Sequence, residues 1–89
     1  MWIRSQDKRG LYNANNFFMK KISDSKYIIT CDFGVGSIAE YSSEERALFI
    51  LRVIQERINN RNKKVFDLPN DMNLRYVGGK QEYYIGKDD

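Results

Sequence analysis

Asp32, Glu44, Glu45 and Cys31 are the groups whose positions invite a catalytic reading, and each has a simpler one. Asp32-Phe33-Gly34 matches the metal-binding triplet of protein kinases, but 89 residues are too few for a kinase and no catalytic loop is present. Gly34-Val35-Gly36-Ser37 resembles a phosphate-cradling glycine loop, which must lead from a strand directly into a helix N-terminus. Here the strand-like SIAEY intervenes, and a hairpin turn accounts for both strings. Glu44 and Glu45 are neighbours on a helix, so their side chains diverge by about 100°. First-turn acids are also what a helix dipole favours. Cys31 stands beside Asp32, which raises its pKa, and reads as a small buried hydrophobe. The chain contains no histidine, which removes Ser-His and Cys-His nucleophile pairs and imidazole proton shuttles. One cysteine without histidine cannot assemble an ordinary zinc site. The expectation is a protein that is not an enzyme and needs neither cofactor nor metal.

Binding chemistry is better represented. Trp2 near Arg4, and Arg75 beside Tyr76, pair a ring with a cation, a combination that stacks on a nucleobase and grips a phosphate. Strand alternation offers the other reading, with some rings packed inward and the rest covering a sheet face. A second group, Arg57, Arg61, Lys63 and Lys64, is the candidate surface for an alternative function as a nucleic-acid-binding accessory protein. The same cations also fit a helix C-terminus followed by a solvated segment. A net charge of +3 is too small to decide between these, because a phosphate-binding face needs several cations on one surface.

The elements that must position these groups are strands, one helix, then strands. Asp7 and Gly10 fit the first and fourth places of a type I turn, so the opening residues form a hairpin. Asn13, Asn15 and Asn16 disfavour regular pairing and predict a bend before FFMKK resumes extended structure. A turn at Ser23-Asp24-Ser25 leads into KYIITCDF, the expected central strand. Gly34-Val35-Gly36 reverses the chain and SIAEY completes a meander. Ser42 and Glu45 have the spacing of a capping box, which starts a helix over residues 43–59 or 60. Then NNRNKK exits, VFDLPND is extended with Pro69 holding Leu68 out of helix, and LRYVGGKQEYYIG forms a hairpin turning at Gly78-Gly79. The fold class is α+β: a small antiparallel meander, one long amphipathic helix across it, and a C-terminal hairpin. Residues 1–89 form one small domain, with residues 61–89 as a candidate peripheral extension.

Ala47, Ile50, Leu51, Ile54 and Ile58 fall in one helix stripe about 100° wide, the width needed to cover a sheet. Phe49 and Val53 lie to another side. Either a terminal segment of the same molecule wraps over them, or a second subunit packs there, for which a two-fold dimer is the default. Phe49 and Val53 are therefore the candidate interface of a homo-oligomer.

A chain of this length buries roughly 60 to 65% of the surface its unfolded form exposes, so its stability margin is narrow. A single cysteine excludes a disulfide framework and fits a reducing cytoplasm. The opening MWIRSQDKRG carries charge where a signal peptide needs an apolar centre, and no apolar run approaches the roughly 20 residues of a membrane span.

MWIRSQDK, AEYSSEERALFILRVIQ and VFDLP together resemble a group of short, uncharacterised phage, prophage and mobile-element proteins of low-GC Gram-positive bacteria. Those proteins open on a string like MWIRSQD and reach a GEYSSEERALEVLDEIQ-like helix and a VYQMP-like segment. The resemblance covers roughly residues 1–71; Ala39 stands where glycine is common, FDLP replaces YQMP, and the last hairpin is additional. It carries no catalytic residue. It implies an accessory protein acting in the cytoplasm of a host bacterium, one that antagonises host defence by binding a host protein or sequestering a nucleotide-like signal. Arg4, Ser5, Gln6, Asp7 and Lys8 match the opening motif. With an aromatic such as Trp2 or Tyr76, Arg4, Gln6 and Lys8 form the candidate site for an anionic ligand.

Overall fold

The computed structural model describes residues 1–32, 36–77 and 80–85, and for 76, 77 and 80–82 the backbone alone. One helix packs against small antiparallel sheets and a C-terminal hairpin, the α+β arrangement that the order of patterns predicts. β1 (Trp2–Arg4) and β2 (Leu11–Asn13) form the opening hairpin, with Ile3 opposite Tyr12. The asparagines end β2, and the bend they impose is held by Asp32, whose Oδ1 accepts the amides of Asn15 at 3.0 Å and Asn16 at 3.2 Å. That carboxylate therefore serves the backbone. Phe33 and Gly34, with Val35, lie outside the described residues; Gly36 has φ +73°, in the left-handed region a turn requires.

β3 (Phe17–Ser23), β4 (Lys26–Cys31) and β5 (Ala39–Tyr41) form the meander, with β4 in the centre as its β-branched run predicts. Tyr27 and Ile29 face the helix from β4, and Ala39 and Tyr41 join them from β5. Cys31 shares that face and packs against the core half-buried, and burial followed by Asp32 raises its thiol pKa.

α1 (Glu44–Asn59) starts one residue later than the Ser42–Glu45 box requires. Ser43 is the cap, its Oγ accepting the Arg46 amide at 3.3 Å. The Ser42 amide, which Glu45 would have satisfied, instead donates to Asp71 Oδ1 at 3.0 Å. Two adjacent serines gave two registers, and the carboxylate arriving from beyond the helix selects the second. At the other end the Arg61 amide donates to the Ile58 carbonyl and the Asn62 amide to that of Arg57, with Arg61 at φ 53°. That pattern is the left-handed termination helices use most, here without glycine.

Ala47, Ile50 and Ile54 are buried beneath α1, whereas Leu51 is half-buried and Ile58 is 46% exposed. The packed stripe thus stops a turn short of the expected one. β6 (Phe66–Asp67) adds to β1 in parallel, an arrangement the antiparallel expectation did not contain. It gives the sheet order β2-β1-β6, with Ile3 and Phe66 buried side by side. After a 3-10 turn at Asp71–Asn73, β7 (Leu74–Val77) and β8 (Lys80–Ile85) form the last hairpin; its turn residues Gly78 and Gly79 lie outside the described residues.

The cap assignment separates two serines by experiment. Ser43→Ala should lower stability to chemical denaturation by about 1 kcal/mol. Ser42→Ala, whose backbone amide keeps its partner Asp71, should change it by less than about 0.5 kcal/mol.

Candidate functional site

The turn between β1 and β2 is built by side chains within the opening motif. The Ser5 amide donates to the Gly10 carbonyl at 2.8 Å, and the Ser5 hydroxyl accepts the Gly10 amide while donating to Asp7 Oδ1 at 2.6 Å. Asp7 Oδ1 also accepts the Arg9 amide at 2.9 Å. The hydrogen-bonded turn runs over residues 5–8, closed by the Lys8 amide on the Ser5 carbonyl, with Lys8 at φ 69°. This corrects the reading of Asp7 and Gly10 as its two ends. Asp7 instead folds its carboxylate over the chain two residues ahead, which a short acidic side chain does readily.

Gln6 points away from that turn and holds the hairpin to the rest of the molecule. Its backbone amide donates to the Ile38 carbonyl at 2.8 Å. Its side chain accepts the Glu40 amide at 2.9 Å and donates to the Glu40 carbonyl at 3.0 Å and the Pro69 carbonyl at 3.1 Å. Both hydrogens of the side-chain amide are therefore engaged, and Gln6 ties the hairpin to β5 and to Pro69. A notch of about 360 Å³ lies between turn and β5, bordered by Ser5, Asp7, Arg9, Tyr12, Ser37 and Glu40. Tyr12 lies across Gly10 so closely that a Cβ there would sit 2.5 Å from its ring.

The opposite face of the same hairpin gathers three of the expected binding residues. Trp2 and Arg4 alternate with buried Ile3, so both project outward from β1, and Arg4 is flanked by Leu11 of β2 and Asp67 of β6. Arg4 Nε lies 3.5 Å and Lys8 Nζ 3.7 Å from one oxygen of Asp67. All three charged side chains are about half exposed, so these pairs contribute at most about 1 kcal/mol each. Two cations share one carboxylate, leaving a positive excess, and Trp2, 46% exposed, lies along the same strand face. Asp67 was invisible as a member of this site because only the parallel β1–β6 pairing brings it beside Arg4. Tyr76 belongs to β7 in a separate sheet, and its side chain is outside the described residues.

Phe49 and Val53 pack, partly buried, against the core. Tyr83 of β8 covers Phe49 with ring centroids 5.8 Å apart, and the Arg46 guanidinium lies 5.1 Å over the Tyr83 ring. Arg46 also donates to the carbonyls of Asp71 and Leu74, fixing the last hairpin to the helix. The C-terminal hairpin thus packs on Phe49, one of the two residues considered for a second subunit. Of the alternative nucleic-acid cations, Arg57 is half-buried and stacks 4.4 Å over the buried Phe66 ring; Arg61, Lys63 and Lys64 are exposed after the helix. Among the described residues, no three acidic, cysteine or histidine side chains gather as a metal site would need, and no helix is long and apolar enough to cross a membrane. No family model, curated protein or solved structure matches the chain.

Gln6→Ala removes three side-chain hydrogen bonds at once and should cost about 1 to 3 kcal/mol in urea unfolding. Acid acts through Asp7, whose pKa is held below the ordinary carboxylate value first by the Ser5 hydroxyl and then by the Arg9 amide. The unfolded chain therefore takes up this proton before the folded one does. The contribution of Asp7 is present at neutral pH and disappears as pH falls from about 4 through its folded value. Asp7→Asn should flatten this part of the stability profile below about pH 4, read by circular dichroism.

Proposed function

We propose that this chain is a non-enzymatic binding module that captures an anionic, ring-bearing ligand of the nucleotide class on the outer face of β2-β1-β6. The observation that carries the reading is the convergence of Arg4 and Lys8 on one half-exposed carboxylate, with Trp2 on the same strand face. A phosphate entering there meets two cations on one face of the hairpin, and an attached base has an indole to stack on. Asp67 keeps those side chains extended over the sheet in the absence of ligand and competes with an incoming anion. The likeness of the opening string, helix start and VFDLP to phage and prophage proteins supplies the setting: an accessory protein inside the bacterial cell that sequesters a nucleotide-like signal of host defence. No second subunit is needed for this reading, since Tyr83 covers Phe49 within the chain.

Trp2 is the only tryptophan, so intrinsic fluorescence reports this face directly. Titration with ATP or a cyclic dinucleotide should quench it saturably, and inorganic phosphate should bind more weakly for want of a ring. Arg4→Gln and Lys8→Gln should each weaken binding about tenfold, in line with loss of a charge-assisted contact. Asp67→Asn should tighten it. Fluorescence unmoved by millimolar nucleotide, or an Arg4→Gln variant that binds as well as the parent, would end this assignment.

A further inference from the structure

The two edges of the meander are treated differently. Along β5, the Ile38 carbonyl and both backbone groups of Glu40 are taken by Gln6, and the Ser42 amide by Asp71. That edge is closed. At the other edge β3 pairs with β4 alone among the described strands, so its second row of backbone donors and acceptors has no strand beside it. Proteins ordinarily blunt such an edge by shortening, covering or bulging it. β3 is among the longest strands, regular over residues 17–21, with its bulge placed only at the turn end between Lys21 and Ser23.

Apolar surface borders this edge on both sides. On the face away from the helix, Phe18 and Ile22 are 50% and 49% exposed, and with Ile28 they line a groove of about 680 Å³ that also takes in Lys20, Lys26, Asp32 and Glu40. On the helix side, Phe17, Leu51 and Ile58 line a second groove of about 340 Å³, and Phe18 borders both. An added strand uses such an arrangement fully: its backbone pairs with the edge while alternate side chains enter the two grooves.

Charge selects the occupant. Lys21 and Lys26 have carboxylate partners in Asp24 and Glu40, at 3.0 and 3.1 Å. Lys20, central in the regular stretch and projecting between Phe18 and Ile22, has none among the described residues. A second copy of β3 laid antiparallel with Phe18 against Ile22 would set Lys20 directly opposite Lys20, which is destabilising. A strand bearing a carboxylate at that place, between two apolar residues, satisfies both the cation and the groove. We propose that the β3 edge is a docking site for an extended segment of a protein partner, apolar-acidic-apolar on the side chains that share the face of Phe18, Lys20 and Ile22. This site is separate from the Trp2 face and stands whether or not that face binds nucleotides.

The probe is a capped peptide, Thr-Thr-Ile-Val-Glu-Val-Ile-Thr-Thr, with a counterpart carrying lysine in place of glutamate, each titrated into the isotope-labelled full chain. The acidic peptide should shift or broaden the amides of Phe17–Ser23 and bind about three- to tenfold tighter than the lysine peptide, with Trp2 fluorescence unchanged. Lys20→Glu, an exposed substitution, should reverse that preference. The proposal is overturned if neither peptide moves the β3 amides, if the preference survives Lys20→Glu, or if the changes fall on β1 and β6. It is equally overturned if the same amides broaden with protein concentration alone, which identifies the occupant as a second copy.

Discussion

The carbonyl of Pro69 is where the three parts of this molecule meet. It accepts the buried Tyr41 hydroxyl at 2.8 Å from the end of the meander and the Gln6 side chain from the opening hairpin. Proline cannot donate a backbone hydrogen bond, so this residue offers only an acceptor, and both available directions are used. Burial, with the nearby Asp71 adding to it, raises the pKa of Tyr41 and keeps its hydroxyl a donor. Gln6 meanwhile treats Glu40 as a neighbouring strand would, exchanging two hydrogen bonds with its backbone. A side-chain amide here substitutes for a peptide group, which lets a tight turn dock on a sheet edge that a strand would otherwise cover.

The helix is fixed from the same quarter. Asp71 takes the Ser42 amide, and its carboxylate and carbonyl both engage Arg46. Arg46 in turn lies over Tyr83, and Tyr83 over Phe49. The segment after the helix therefore determines where the helix starts and what covers its second side. Backbone amides around a helix N-terminus need acceptors, and the residue that supplies one can come from far along the chain.

Much of the scaffold was legible in order and type: the hairpins, the central KYIITC strand, the asparagine bend and the single helix all follow from local pattern and turn chemistry. What escaped depends on residues distant in sequence. Ser42 and Ser43 are locally equivalent caps, and only Asp71 distinguishes them. The parallel β1–β6 pair has no local signature at two residues, yet it places Asp67 between Arg4 and Lys8. The site shows the same division. Trp2, Arg4 and Gln6 were read together as candidate ligand contacts, and only the tertiary structure shows Gln6 engaged as a clamp between Glu40 and Pro69. Within the opening motif, Ser5, Gln6 and Asp7 make the turn and its attachment, and the flanking Trp2, Arg4 and Lys8 carry the exposed chemistry.

The short parallel pairing also ties the exposed face to the integrity of the whole chain. β1 and β2 are neighbours in sequence, whereas β6 pairs with β1 across a loop that spans the meander and the helix, so the second pairing carries the larger closure entropy. The face that joins Arg4 to Asp67 therefore depends on both ends of that loop and is absent from any fragment that lacks either one. An occupant of the face would bind the completed chain and not its partly folded forms, so occupancy and global folding are thermodynamically linked. For a domain this small, such linkage would make the bound form outlast the free one wherever transient unfolding exposes the chain to proteolysis.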